Sequence, residues 1–403
     1  MDQIQLQQEQ LLQLLKYVGK TSQSPDEINN DEFVELHFHT EHSSLDGATR
    51  IYDIVPVVQE HGQIAIAVTD HGTMSSVFDV YTECKKNNIK LIPGMESYIV
   101  DDANKAHVRR RKKIKKTEIE DEAELKKEMN DEVSCEDAGV CSGTEAAEAV
   151  EDEPQVKTIT SPDWESHVVL LPKNEVGYRN LLKLHFEGYV HKRVNTFGRV
   201  IPRIDLNILQ QHKEGIIVLS ACLGGQINQA LIRGADDLAD QLVARYRSIF
   251  EDYYIELQPI GMISHNDRFA YRADSVKNTE KLQAEINQKI AALAYKHKVP
   301  IVVTTDAHYA RKEDRETHAL LLATQSKKDI SDPTCFYFPA LYMMTAKELS
   351  KQFPNEWIRN TRKIADMCDP PKYLDFSKDY KIPTFPVPHD DADYKEWLAQ
   401  CKP

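Results

Sequence analysis

No stretch of this 403-residue chain is apolar for long enough to cross a bilayer, and its N-terminus lacks the charged-then-apolar pattern of a secretion signal. Seven cysteines at irregular spacing give no disulfide framework. A soluble protein of the cytoplasm, away from membranes, is the expectation. Neither a P-loop nor a nucleophile elbow is found, which removes the commonest protein-based routes to phosphate binding and covalent catalysis. Cationic charge is also short: the net charge is −14, and nucleic-acid binding ordinarily needs basic surface to replace counterions. That objection weakens if much of the acid lies in a detachable segment, or if bound divalent cations reverse the local field.

What is present is a repeated order of apolar run and amphipathic stretch. Strands are expected at Phe33 to His37, Ile64 to Thr69, Lys90 to Pro93, His167 to Leu171, Gly215 to Ser220, Tyr253 to Leu257 and Pro300 to Thr304. Helices are expected at Ile51 to His61, Val77 to Asn87, Glu175 to Tyr189, Asp236 to Phe250 and Ser275 to His297. About seven alternations of this kind suit an α/β fold of parallel strands joined by helices, a seven-stranded TIM-like barrel in preference to an open sheet, which the sequence leaves as the alternative. Catalytic groups then belong at the C-terminal strand ends. Residues 1–30 read as a glutamine-rich amphipathic helix followed by a linker, with Ile4, Leu6, Leu11 and Leu15 on its apolar face. The run Asp101 to Pro162 breaks the pattern: a basic block from Arg109 to Lys116 gives way to an acid-rich tract, a composition expected to be disordered. Cys135 and Cys141 within it have no histidine at zinc-finger spacing.

Metal-competent side chains gather where these strands stop. His37 and His39 flank Phe38, and Asp306 and His308 flank Ala307, so each pair aims two ligands at one point if the backbone is extended. Asp46 follows in a turn, Asp70 and His71 end the second strand, Glu96 ends the third, Cys222 follows the fifth, and His167 opens the fourth. Taken singly, each has an ordinary role: caps and turns for Asp46 and His71, a core histidine for His167, a small buried hydrophobe for Cys222. Jointly, imidazole, thiolate and carboxylate around one rim form a donor set for zinc, manganese or iron, in which a carboxylate such as Glu96 can bridge two cations. Arg50, Lys173 and Arg203 are the candidate phosphate contacts.

The segments Phe33-Val34-Glu35-Leu36-His37-Phe38-His39-Thr40 with Ser44-Leu45-Asp46-Gly47, Thr69-Asp70-His71-Gly72, Ile92-Pro93-Gly94-Met95-Glu96, Pro202-Arg203-Ile204-Asp205, Leu219-Ser220-Ala221-Cys222-Leu223-Gly224-Gly225 and Thr305-Asp306-Ala307-His308-Tyr309 resemble the PHP (polymerase and histidinol phosphatase) domain. Within that family they look like the N-terminal PHP region of bacterial DNA polymerase III alpha subunits, family C DNA polymerases. The resemblance implies three clustered divalent metals: one on His37, His39, Glu96 and Asp306, one on Glu96, His167 and Cys222, and one on Asp46, His71 and His308. It places Asp70 behind a ligand histidine, orienting it. It further implies a PHP barrel over 31–330 with 101–162 inserted, and an extension over 331–403 leading toward a polymerase palm.

The activity implied is phosphoester hydrolysis by a metal-bound water with no protein nucleophile: a 3′-to-5′ exonuclease acting on the primer 3′ end of DNA during replication. The partners implied are the polymerase palm and fingers or other replisome subunits, since the family's polymerase carboxylates lie in a motif absent here. Two other readings stand beside it, an inert platform for a polymerase and a small-molecule phosphatase of the histidinol phosphate kind.

Overall fold

The computed structural model describes residues 27–104, 165–194, 200–261, 276–329 and 338–369, with 374, 396, 399 and 400. The expected N-terminal helix, nearly all of the charged insertion and the end of the C-terminal extension lie outside these residues.

In chain order the elements are α1 (Ile51–Glu60), β1 (Ala65–Val68), α2 (Val77–Lys86), β2 (Lys90–Pro93), β3 (Met95–Val100), β4 (Ser166–Pro172) and α3 (Glu175–Val190). A small pair, β5 (Arg193–Val194) and β6 (Val200–Ile201), precedes β7 (Arg203–Asp205), α4 (Leu206–Gln211), β8 (Ile216–Leu219) and α5 (Gln226–Ile232). Then come α6 (Asp236–Ile249), β9 (Tyr253–Leu257), α7 (Val276–His297), β10 (Ile301–Val303), α8 (Arg315–Ser326), α9 (Ala346–Leu349) and α10 (Asn355–Met367). The five expected helices form nearly as read. Their apolar faces are continuous: Ile51, Ile54, Val55, Val57 and Val58 are all buried along α1.

Pairings run from β1 to β2, through the bend at Gly94 into β3, and on to β4, β8, β9 and β10. The ring closes through the segment before α1, where Glu35 bridges Ile66 and Phe38 bridges Ala307. These seven strands and the bridging segment enclose a core of Val34, Leu36, Ala65, Ala67, Ile92, Val169, Leu171, Ile217, Leu219 and Val302, stoppered by Ile364 and Ala365 of α10. Outside it, helices α3, α5, α6 and α7 pack on β3, β4, β8 and β9 in the largest apolar cluster, and α1 and α2 cover β1 in another. Gly94 is required at the bend, because a Cβ there would stand 2.7 Å from both Leu171 and Thr69 side-chain carbons.

The structure corrects three expectations. The first concerns Phe33 to His37, which is held by single bridges and not by a ladder. Its backbone N–H groups are taken by side chains instead: Val34 by Thr361, Glu35 by Gln63, His37 by the Glu35 carboxylate and Phe38 by Thr69. Second, the sheet is mixed, since β4 runs antiparallel to both β3 and β8. Third, Glu96 does not end the third strand; it lies one residue into β3, beyond the Gly94 bend.

Candidate metal centre

The antiparallel course of β4 decides where His167 goes. A residue opening that strand emerges at the same rim where β1, β8 and β10 finish, and His167 there bridges Gly225 just past β8. Lys173, at the other end of β4, is carried to the opposite rim. Its backbone N–H donates to the Gly215 carbonyl and its ammonium pairs with Asp252, so it is not a phosphate contact at this centre.

Four side chains form the closed end of the cluster. His37 Nε2 lies 3.3 Å from Glu96 Oε1 and 3.1 Å from Asp306 Oδ1, while His39 Nε2 lies 3.3 Å from Glu96 Oε2 and 3.2 Å from the same Asp306 oxygen. All four are buried. Phe38 and Ala307, between the pairs, turn into the apolar layer with α1. His71 Nδ1 approaches Glu96 Oε2 to 2.7 Å, and His167 Nδ1 approaches Glu96 Oε1 to 2.9 Å. Cys222 Sγ stands 3.4 Å from Glu96 Oε1 and 3.5 Å from His167 Nδ1. Asp46 joins from the other side, 3.3 Å from His71 Nε2 and 3.8 Å from His308 Nε2.

Three overlapping sets of donors can each converge on one ion: His37, His39, Glu96 and Asp306; His71, Glu96 and His167; and His39, His71 and His308. The last two differ from the sets implied by sequence resemblance. His71 is shared between them, and Cys222 and Asp46 touch their margins through the contacts given above.

His37 Nε2, His39 Nε2, His71 Nδ1, Glu96 Oε2 and Asp306 Oδ1 are buried with no hydrogen-bond partner. They are close enough to one another to bond but are not aligned to do so. Unpaired buried polar atoms are costly, and lone pairs directed at common points are what cations require. The residues present therefore fit a metal cluster.

Neighbours behind the rings set which nitrogen faces inward. Glu256 of β9 accepts from His37 Nδ1 at 2.6 Å and is itself held by the Thr304 hydroxyl. Ser43 Oγ accepts from His39 Nδ1 at 2.8 Å and donates to Asp70 at 2.8 Å, so Asp70 reaches this candidate ligand through a serine and not directly. Asp70 also accepts from the Thr40 backbone N–H and from Ser76, pinning the turn. The Asp306 carbonyl accepts from His308 Nδ1 at 2.8 Å. Each partner fixes Nδ1–H and leaves Nε2 for the cluster. Glu256 and Ser43 were missed by sequence reasoning. Glu256 carried one legible signal, a carboxylate inside the apolar strand Tyr253–Leu257.

Burial opposes charge throughout; the pairing of opposite charges overcomes it at the closed end and at His71 and Asp46, and burial wins at His308 and Cys222. His37 is lifted well above the ordinary histidine range because Glu256, Asp306 and Glu96 outweigh its desolvation. His71 is likewise raised well above it and His39 is raised. Glu96 is held far below the carboxylate range by His167, His71 and His37 despite its burial, and Asp306 and Asp46 are also lowered. His308 is pushed down to about 4 by burial and by His39. Burial and then Glu96 push the Cys222 thiol well above its usual value, so it becomes a thiolate only beside a cation.

Backbone strain collects at the same place. Leu45, Ala221 and Asp306 have φ of 61°, 63° and 47°. They are a ligand candidate or its immediate neighbour, which accords with strain held at functional sites. Gly224 has a different duty, since a Cβ there would lie 2.8 Å from His167 Nδ1.

The remaining two phosphate candidates are engaged. Arg50 is exposed and pairs with Asp53; Arg203, beside Tyr98 on β7, is buried and donates to the His191 carbonyl.

The model of the family described as "PHP domain" matches residues 35–259, more than half of the chain. The chain belongs to the PHP domain family. Curated relatives of this PHP chain include DNA polymerase III subunit alpha of Thermus aquaticus, 30% identical over 384 residues, covering 91% of this chain and 25% of that protein. The same subunit of Treponema pallidum is 28% identical over 376 residues, at 91% and 25% coverage, and that of Deinococcus radiodurans is 29% identical over 385, at 92% and 23%. The PHP chain thus spans about a quarter of the length of these relatives. A solved structure titled as a metal-dependent phosphoesterase of Bifidobacterium adolescentis aligns over 68% of this chain and 87% of its own, with 12% identity and a TM-score of 0.27, a likeness too slight to build on.

Glu256→Gln is expected to weaken binding of the first ion by about 10- to 100-fold, because a neutral amide no longer holds His37 Nδ1–H against a carboxylate. Titration calorimetry with manganese checks this, and an unchanged dissociation constant opposes it.

Proposed function

We propose that this PHP domain is a metal-dependent phosphoesterase, a 3′-to-5′ exonuclease working on the primer 3′ end of DNA beside a DNA polymerase III alpha-like polymerase in the cytoplasm. The observation that supports it most is the convergence of buried, hydrogen-bond-free donor atoms from His37, His39, His71, Glu96 and Asp306. In this reading residues 31–330 form the catalytic domain and 331–403 lead toward a palm.

One ion is assigned to His37, His39, Glu96 and Asp306, a second to Glu96, His167 and Cys222, and a third to Asp46, His71 and His308. Divalent cations so placed would activate water near neutral pH and polarise the phosphate; zinc, manganese and iron all suit the donor set. The chain's own part is to orient and enclose. Glu256 and Ser43 hold two imidazoles in register, the apolar barrel core excludes water from below, and the less buried Asp46, His71, His167 and Cys222 leave one side open to the substrate. No carboxylate or hydroxyl is needed as nucleophile.

The three nominated basic residues are tied to Asp53, Asp252 and the His191 carbonyl, so phosphate recognition falls mainly to the cluster. The test is release of nucleotide from a 3′-labelled primer with manganese or zinc, beside the His37→Ala, His39→Ala double variant. Activity confined to the unaltered protein is expected; equal activity in both removes the enzymatic reading and leaves the platform.

A further inference from the structure

Helix α5 is buried along its whole length, and such a helix is ordinarily apolar on every side. Three of its seven residues are amides instead: Gln226, Asn228 and Gln229. Gln226 Oε1 accepts from the Tyr246 hydroxyl of α6 at 2.8 Å, a contact that belongs to the packing of the two helices. The other two reach back over the turn that joins β8 to α5. Asn228 Nδ2 donates to the Cys222 carbonyl at 2.9 Å, and Gln229 Nε2 donates to the Leu223 carbonyl. Gln229 is 1% exposed and its Oε1 has no partner, so this side chain carries an uncompensated polar atom into the interior. A leucine or methionine would fill the place without that cost. What the amide supplies is its N–H.

The turn needs holding. Ala221 has a left-handed φ of 63°, unfavourable for a residue with a Cβ. Local bonds close it only in part: the Gly225 N–H donates to the Cys222 carbonyl at 2.8 Å, and the Gly224 N–H to Cys222 Sγ at 3.3 Å. With the two amides of α5 added, the consecutive carbonyls of Cys222 and Leu223 are both fixed, and the sulfur is left 3.4 Å from Glu96 Oε1 and 3.5 Å from His167 Nδ1. Cys222 is the one soft donor among the candidate ligands. Thiolate suits zinc or iron, whereas manganese prefers oxygen, so the place of this sulfur bears on which metal is held.

We propose that Asn228 and Gln229 are positioning residues that hold the Cys222 turn and, through its sulfur, set the preference of the second ion for a thiophilic metal. This rests on the assignment of Cys222, Glu96 and His167 to that ion in the proposed function.

The experiment loads the metal-free protein with cobalt(II), whose bond to a thiolate gives an intense near-ultraviolet absorption band, and measures zinc and manganese binding by calorimetry. The weaker visible bands of cobalt report ions on histidine and carboxylate whether or not sulfur ligates. The unaltered protein is compared with Cys222→Ser, Asn228→Leu and Gln229→Met, of which the last two keep the side-chain volume and remove the N–H. Each amide variant is expected to lose most of the thiolate band and about 10- to 100-fold in zinc affinity at the second ion, while the visible bands and the manganese isotherm change little. Asn228→Ala is read in the same way should the leucine variant not fold. A thiolate band and zinc affinity unchanged in the amide variants overturns the positioning role and leaves Cys222 a ligand. Loss of every metal signal together overturns it as well, since a general role in packing explains that outcome. A band in the unaltered protein no stronger than in Cys222→Ser overturns the assignment of Cys222, and this role with it.

Discussion

Glu96→Gln is expected to reduce bound metal from about three equivalents to one at most, and to cut hydrolysis sharply. Each carboxylate oxygen serves a different side: Oε1 faces His37, His167 and Cys222, and Oε2 faces His39 and His71. An amide keeps the volume but turns one of those oxygens into a donor that cannot ligate. Because a metal contributes several kcal/mol of charge stabilisation, and about 1.4 kcal/mol is tenfold in rate, the loss expected is on the order of a thousandfold. Elemental analysis and the primer assay check it together. A variant that keeps the full metal count contradicts a bridging role for Glu96, whatever its activity.

Metal loading at neutral pH is expected to release protons, and the metal-free protein is expected to lose stability as the pH rises. His37, His39 and His71 have folded-state values raised above the ordinary 6.5, so in the metal-free protein they carry protons that a cation must displace. A raised histidine contributes stability that is fully present below its unfolded value and lost as pH climbs through the folded one. For the lowered carboxylates Glu96, Asp306 and Asp46 the sign reverses: their contribution is present above the unfolded values near 4 and lost on acidification. The raised histidines should therefore make the metal-free melting temperature fall on the alkaline side of about pH 6.5, a fall that metal abolishes, while His308, held down to about 4, works the other way below pH 6.5. Calorimetry in two buffers of different ionisation enthalpy measures the protons released. Identical heats in both would show that the cluster loads without them.

The convergence of candidate ligands at one rim was largely legible because those residues are short-range signals. Two His-x-His-like pairs, a turn aspartate and a histidine after a strand each follow from local spacing, and Phe38 and Ala307 do turn away into apolar packing as the alternation requires. The helices were legible for the same reason, since their apolar positions recur at a fixed period. Strand direction was not. Nothing in Ser166-His167-Val168-Val169-Leu170-Leu171 records that its neighbours run the opposite way, and that one fact brings His167 to the rim and sends Lys173 to the far side.

The sequence by itself determined the donor inventory, the order of the elements and the family, because each is written in residue type and spacing. Tertiary structure alone decided the rest: the reversal of β4, the meeting of Asp306 with His37 across the ring, and the carboxylate of Glu256 behind it. The physical reason is that hydrogen-bond partners and burial are set by residues tens to hundreds of positions away. His37 and Glu256, at 2.6 Å, are separated by 219 residues, and no local pattern reports on so distant a neighbour.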